Sequence, residues 1–264
     1  MKKRISKRQR KQYNDLRKSI PRYITSMTKK IEPKRLAYIK SIIKAIKGKS
    51  ISDAKKIIKK ANDQSYMTAI YKNLYYTLGM TIAKGQYNIL NSRKADEINE
   101  LEKTWLAELD KFVKTYSGVQ IKTISKSLRE QLLAKLDGFV KDAVEQGESI
   151  EVVTDKIVKD MDGFFTDANK WQARRIAHTE TMHAAGKAQE VSVDSLGIEY
   201  WKVWNAVFNN TRPSHQAMQG VAVKKGKPFN VNGSKMMFPS DSSMGADVSE
   251  IVNCSCFLVF EPIR

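Results

Sequence analysis

Apolar residues recur every three or four positions over most of the first three quarters of this chain of 264 residues. One such stripe consists of Leu36, Ile39, Ile42, Ile43 and Ile46, and Gly48 follows it. This spacing places the apolar side chains on one face of a helix, and several such helices bury their faces against one another. The pattern begins near residue 34, continues to about residue 196, and predicts a helical bundle.

The same spacing places further helices along the chain. A short helix is expected around residues 57–61, with Ser52 or Asp53 as its cap, and a longer one runs from Ser65 to Ile82. Two more are expected at residues 98–116 and 121–140, separated by Gly118. A final helix, residues 171–191, is predicted to lead into the C-terminal part of the chain.

The pattern changes near residue 197. Five of the 13 glycines and four of the six prolines lie in the last 68 residues, where alternation typical of strands replaces the helical period. Strands are expected within residues 198–207, 221–231, 234–238 and 254–260, with turns at Lys225-Gly226 and Asn232-Gly233. On the last strand Cys254 and Cys256 are expected to share one apolar face. The predicted fold class is therefore α+β, a mainly helical N-terminal region followed by a small C-terminal α+β domain with short antiparallel strands.

Positive charge is concentrated at the start of the chain. Residues 1–50 carry 18 lysines and arginines against two acidic residues, whereas the remaining residues carry 29 against 26. We therefore divide the chain into a basic arm (1–33), a helical bundle region (34–164) and a C-terminal domain (165–264). Such an arm attracts nucleic acid or an acidic protein surface without reading sequence. The residues expected to contact DNA are Lys2, Lys3, Arg4, Lys7, Arg8, Arg10 and Lys11.

Several classes of protein do not fit this sequence. No apolar stretch reaches the roughly 20 residues of a membrane-spanning helix. Polar sequence, rather than an apolar segment, follows the basic start, so we expect no secretory signal and a first location in a cytosol. A disulfide between the two cysteines is not expected there, and side chains two apart on a strand are badly placed for one.

Four segments in the last hundred residues carry a family resemblance. They are ARRIAHTETMHAAGKAQ, GIEYWKVWNAVFNNTRPSHQAMQG, PFNVNGSKMMFPSD and EIVNCSC, and together they span about residues 165–260. In order and spacing they resemble the phage Mu protein F-like head morphogenesis family, also called the minor head or minor capsid protein family. The residues that we take as the motif and structural positions are Thr179, Glu180, Trp204, Arg212, His215, Gly220, Asn253, Cys254 and Cys256.

The resemblance implies a structural protein of tailed-phage heads rather than an enzyme. It implies a location in the virion, in the capsid interior near the portal vertex, after assembly in the host cytoplasm. The implied role is head assembly and DNA packaging or delivery, and the implied partners are the portal protein and capsid or scaffold proteins. The basic arm would bind DNA, and neither a membrane nor a small-molecule substrate is expected.

The cysteines raise the question of a metal. The resemblance implies a Cys-x-x-Cys where this chain has Arg212 and His215, and two cysteine pairs would form a four-ligand zinc site. Arginine cannot coordinate a cation, so at most His215, Cys254 and Cys256 remain as metal ligands. A fourth ligand would have to come from a carboxylate, and the candidates are Asp241, Asp247 and Glu250. The favoured interpretation has no cofactor and treats the cysteines as packed thiols beside a hydrogen-bonded histidine.

The alternative function is a metal-dependent or histidine-based nuclease or toxin-like phage enzyme. Arg212, His215, Glu180 and His183 would assemble its phosphodiesterase site. His178 and His183 are five apart, about 140° around a helix, and cannot grip one ion from one face. Glu180 and His183 share a face, as an ordinary surface pair does. No phosphate loop, nucleophile motif or paired carboxylates accompany them, so no catalytic residue is assigned.

Overall fold

The computed structural model describes residues 7–62, 64–90, 96–147, 151–207 and 211–263. Its helices are α1 (Lys7–Ile46), α2 (Ile51–Lys60), α3 (Gln64–Leu74), α4 (Met80–Leu90), α5 (Asp96–Glu145), α6 (Asp155–Asp194), α7 (Pro213–Ala217) and α8 (Val248–Ile251). Its strands are β1 (Tyr200–Asn205), β2 (Ala222–Lys224), β3 (Phe229–Val231), β4 (Ser234–Met236) and β5 (Phe257–Pro262). Long helices followed by short antiparallel strands confirm the predicted α+β class. Within the described ranges, no helix has the length and apolar character needed to cross a bilayer.

The strands form two small antiparallel sheets. In the first, β1 is central and pairs with β2 on one side and β5 on the other, so that Val203 faces Ala222 and Val259. In the second, β3 and β4 form a hairpin. Its turn residues Asn232 and Gly233 both have positive φ, at 49° and 84°, as a tight two-residue hairpin turn requires. Both predicted turns are confirmed, since Gly226 also has positive φ, at 70°.

Three predicted element boundaries are wrong. Helical structure is expected from about residue 34, but α1 already begins at Lys7. The expected break at Gly118 is absent, because α5 runs without interruption from Asp96 to Glu145. A glycine costs a helix only about 1 kcal/mol, and burial of Tyr116 and Ile121 on either side outweighs that cost. The last strand begins at Phe257, so the two cysteines lie before it in a loop. The loop starts at Asn253, whose φ of 57° is incompatible with an extended strand.

The start of α2 and the interior of the next predicted helix also differ from expectation. Ser50, rather than Ser52 or Asp53, caps α2, and its side chain accepts a hydrogen bond from the backbone N–H of Asp53. A π-helical turn, Tyr75–Gly79, joins α3 to α4 within the long helix expected up to Ile82. Arg212 precedes α7 without a side-chain cap, and Pro213 at the first position has no N–H to satisfy.

The chain forms two compact units, each made of several segments. We call Met1–Met27, Tyr71–Lys114 and Arg175–Arg264 the mixed unit, and Thr28–Ile70 with Thr115–Arg174 the helical unit. The division at residues 33 and 164 stays a prediction. The helical unit buries an aliphatic core that includes Ile39, Ile43, Ile58, Leu132 and Phe165. The mixed unit buries one that includes Trp204, Phe229, Met236, Cys256 and Phe260.

Candidate thiol and histidine site

Short elements of the mixed unit bring His215 and both cysteines together. His215 is the third residue of α7, and the cysteines lie in the loop that follows α8. Asp247 caps the start of α8, because its side chain accepts a hydrogen bond from the N–H of Ser249, at 2.7 Å. An Asp at this position is a favoured helix cap, so the local sequence fixes where the helix starts and where the loop leaves it.

The ring of His215 has a different neighbour at each nitrogen. Its Nδ1 atom lies 3.3 Å from the sulfur of Cys254 and 3.5 Å from the sulfur of Cys256. Its Nε2 atom lies 3.0 Å from the carboxylate oxygen Oε2 of Glu250. The Nε2 atom lies close to this carboxylate without a hydrogen bond of standard geometry, and Nδ1 faces the two sulfur atoms.

The two thiols differ in acidity. A hydrogen bond from the thiol of Cys254 lowers the pKa of Cys256 to about 5, and the His215 ring adds to this effect against the opposing effect of burial. Burial, together with the adjacent Cys256, raises the pKa of Cys254 well above its ordinary value. The arrangement therefore favours a Cys256 thiolate that accepts a hydrogen bond from the Cys254 thiol.

Glu250 is held in place by its own hydrogen bonds. Its carboxylate accepts one from Ser214 Oγ at 2.8 Å and one from Asn232 Nδ2 at 3.1 Å. Burial opposes its ionisation, but these bonds and the charge of Arg212 hold the pKa of Glu250 below its ordinary value. The residue is thus an ionised, oriented partner for the histidine.

Arg212 fixes the loop that carries the cysteines. Its guanidinium donates to the backbone carbonyls of Ser249 and Val252, at the end of α8. These are carbonyls that a helix end leaves without intrahelical partners. Arg212 is therefore committed to the loop backbone rather than directed at a substrate.

The other motif residues contact the same region. The N–H of Asn253 donates to Thr179 Oγ1 on α6, at 3.2 Å. Trp204 packs edge-on against His215, with ring centroids 5.3 Å apart, and its carbonyl accepts a hydrogen bond from Gly220 N–H at 2.8 Å. Seven of the nine motif residues thus contact another of the nine directly, and an eighth, Arg212, binds the backbone of the segment that leads to the cysteines.

Glu180 is the exception, and it is not a surface residue. Only 2% of it is exposed, and burial raises its pKa to about 8, while a hydrogen bond with Tyr71 opposes this shift. His183 is also buried, and its Nδ1 atom lies 2.7 Å from the hydroxyl of Tyr75. The expectation of an ordinary surface pair is therefore wrong. His178, one turn earlier, contacts Ser255 Oγ at 3.0 Å.

The residues of the alternative phosphodiesterase site have separate neighbours. Glu180 contacts Tyr71, and His183 lies between Tyr75 and Asp241, whereas His215 contacts the cysteines. Arg212 is used by backbone carbonyls. These contacts do not bring the four side chains together in one site.

The three acidic candidates for a fourth metal ligand are engaged elsewhere. Asp247 caps α8, Glu250 faces the other nitrogen of His215, and Asp241 accepts from the N–H groups of Met237 and Ser243. Within the described ranges, the group of His, Cys, Asp and Glu that could hold an ion is His215, Cys254 and Cys256.

The residues expected to contact DNA lie at the start of the chain. Lys7, Arg8, Arg10 and Lys11 lie in the first turns of α1, where their side-chain positions are not described. Lys2, Lys3 and Arg4 lie outside the described residues. Their assignment to DNA stays a prediction.

Two buried polar contacts were not predicted from the sequence. Lys202 Nζ, on β1, lies 3.1 Å from Glu190 Oε1 and donates to the carbonyl of Met237 at 2.8 Å. Asp241 lies 3.8 Å from His183 Nε2, and the other ring nitrogen, Nδ1, contacts the hydroxyl of Tyr75, so the His183 ring lies between these two residues. The burial of Lys202 could have been predicted, because the alternation of a strand places its side chain on the same face of β1 as those of Tyr200 and Trp204. No local pattern indicates the second.

Comparisons with known proteins add no relative. Neither the family models, nor the curated proteins, nor the solved structures gave a match to this chain.

Proposed function

We propose that this chain is a structural minor head protein of a tailed phage, associated with the portal and the capsid interior and involved in head assembly and DNA packaging or delivery. The basis is the resemblance of four sequence segments, in order and spacing, to the phage Mu protein F-like head morphogenesis family. The portal protein and capsid or scaffold proteins are the proposed partners. The chain is proposed to assemble with them rather than to catalyse a reaction.

One observation carries the proposal most strongly. Residues from motif segments that are far apart in sequence contact one another, as Thr179 does with Asn253 and His215 does with Cys254. A chance resemblance of short strings would not require their residues to be in contact. Their convergence supports a single folded module as the origin of the four segments.

A copurification experiment tests this role. A tagged chain, expressed together with the head and portal proteins of its phage, is expected to be recovered in procapsids that contain the portal. A nucleic-acid-binding regulator, the competing binding role, would stay in the soluble fraction. Recovery only in the soluble fraction would contradict the proposal.

The basic start of the chain is proposed to bind DNA. Removing all of α1 would also remove the core residues Ile39 and Ile43, so charge-neutralising substitution is the better test. We expect glutamine substitutions to weaken binding more than tenfold at about 0.1 M salt and to flatten the salt dependence by up to about 0.9 per lost phosphate contact. The substituted positions are Lys2, Lys3, Arg4, Lys7, Arg8, Arg10 and Lys11.

A matched control removes the same charge from other parts of the chain. It replaces seven exposed lysines with glutamine, namely Lys44, Lys59, Lys60, Lys122, Lys159, Lys170 and Lys227. If both variants lose the same affinity, net charge alone explains the binding, and the assignment of the start of the chain to DNA is wrong.

A further inference from the structure

Three buried metal-binding side chains lie within reach of one ion. Nδ1 of His215 and the sulfur atoms of Cys254 and Cys256 are all within 4.8 Å of one another. No more than 2% of any of these residues is exposed. We propose that these three atoms bind one zinc ion. The assignment does not depend on the role in phage heads.

The spacing of the donor atoms matches tetrahedral zinc. With Zn–N of about 2.05 Å and Zn–S of about 2.3 Å, a tetrahedral angle places nitrogen and sulfur about 3.6 Å apart. The observed separations of Nδ1 from the two sulfur atoms are 3.3 Å and 3.5 Å. The two nitrogen–sulfur separations therefore match a tetrahedral ion to within a few tenths of an ångström.

The surroundings of His215 are those of a metal-binding histidine. Such histidines use one ring nitrogen for the ion and direct the other at a carboxylate or carbonyl, which fixes the orientation of the ring. Here the carboxylate of Glu250 lies 3.0 Å from Nε2, where a small rotation of the ring would form that bond, and Ser214 and Asn232 hold the carboxylate there. Glu250 is thus a positioning residue rather than a ligand.

The loop that carries the two sulfur atoms is fixed immediately before the first cysteine. Arg212 binds the carbonyls of Ser249 and Val252, and Thr179 accepts the N–H of Asn253. These contacts hold the backbone next to the cysteines in position without the help of a metal ion. Preformed placement reduces the conformational cost of binding.

The donor set selects the type of metal. Two sulfur atoms and one imidazole favour zinc over magnesium or calcium, which prefer oxygen. Among the described residues no carboxylate completes the set. A water molecule or a group from another molecule would complete a four-coordinate ion, as in zinc sites with three protein ligands.

Titration of the full-length, reduced, metal-free protein tests the proposal. Cobalt(II), which replaces zinc and is visible spectroscopically, is expected to bind one per chain with a thiolate-to-cobalt charge-transfer band, and zinc should displace it. His178→Gln is the matched control, because His178 contacts Ser255 between the cysteines but is not a ligand, and it should titrate as the unmodified protein does. If cobalt produces no sulfur charge-transfer band in the unmodified protein, packed thiols explain the cluster and the proposal is wrong.

Substitutions separate ligands from the positioning residue. Cys256→Ser should lose much of the charge-transfer intensity, and His215→Gln should weaken zinc binding at least a hundredfold. Glu250→Gln should keep the band but weaken binding about 10- to 100-fold. Equal zinc affinity in the unmodified protein and in folded His215→Gln, with folding checked by circular dichroism, would overturn the assignment.

Discussion

The helical unit and the mixed unit bury different kinds of side chain. Among the described residues, the acidic, basic or histidine side chain that the helical unit buries is Arg35, which bonds to Asn169. The mixed unit buries seven side chains of these types, which are Glu180, His183, Glu190, Lys202, His215, Asp241 and Glu250. Burying such groups is costly unless each finds a partner, so they concentrate where a fold uses them. The contrast shows that buried charge is concentrated in the mixed unit, whereas the core of the helical unit is almost entirely apolar.

The largest effect is expected at the buried ion pair. Lys202→Ala leaves Glu190 buried with only the more distant Lys187, and should lower the free energy of unfolding by about 4 kcal/mol. The double substitution Lys202→Met with Glu190→Leu should recover most of that loss, because it buries no charge. Urea unfolding measures both. A Lys202→Ala protein as stable as the parent would remove the distinction between the two units.

An apolar truncation in the helical unit is expected to rank next. Leu132 is fully buried among aliphatic neighbours, and Leu132→Ala should cost about 3 kcal/mol through lost burial and the cavity left behind. This cost should not vary between pH 5 and pH 8, since no ionisable group is removed. Pronounced pH dependence of the difference would show that this core is not the purely apolar one described.

Glu180 should make the mixed unit less stable as pH rises. Its folded pKa of about 8 exceeds the ordinary value of 4.5, so the folded state holds a proton that the unfolded chain releases. The stabilisation is complete below about pH 4.5 and is lost as pH rises through about 8. Glu180→Gln should therefore raise the unfolding free energy by about 3 kcal/mol at pH 7, with little effect at pH 4. Equal effects at both pH values would contradict a neutral buried carboxyl.

Two glycines on α6 give the smallest effects, of opposite sign. A Cβ at Gly186 would lie 2.5 Å from the ring of Phe238, so Gly186→Ala should destabilise by about 1 to 2 kcal/mol. Gly163 lies in the helical unit with no atom within 4 Å of an added Cβ, and Gly163→Ala should stabilise by about 0.7 kcal/mol. Thermal unfolding of both proteins distinguishes them. If both substitutions stabilised the protein, the Phe238 ring would have to move aside from residue 186 at little energetic cost.

Sequence patterns predicted the helical unit better than the mixed unit, for a physical reason. Periodic residues such as Ile39, Ile43 and Ile46 identify a buried helical face from local spacing alone. The site depends on contacts between distant residues, such as those of His215 with the cysteines and Asn253 with Thr179. The motifs identified which residues would gather. They could not give the partner of each ring nitrogen or the burial of Glu180, which long-range packing decides.

The central claim is that this chain is a component of phage heads. Mass spectrometry of purified particles from a phage that encodes it tests this most directly, with peptide amounts compared with those of the portal and major head proteins. We expect peptides from this chain in the particles, in far smaller amounts than those of the major head protein. Particles that yield portal peptides but none from this chain would contradict the claim.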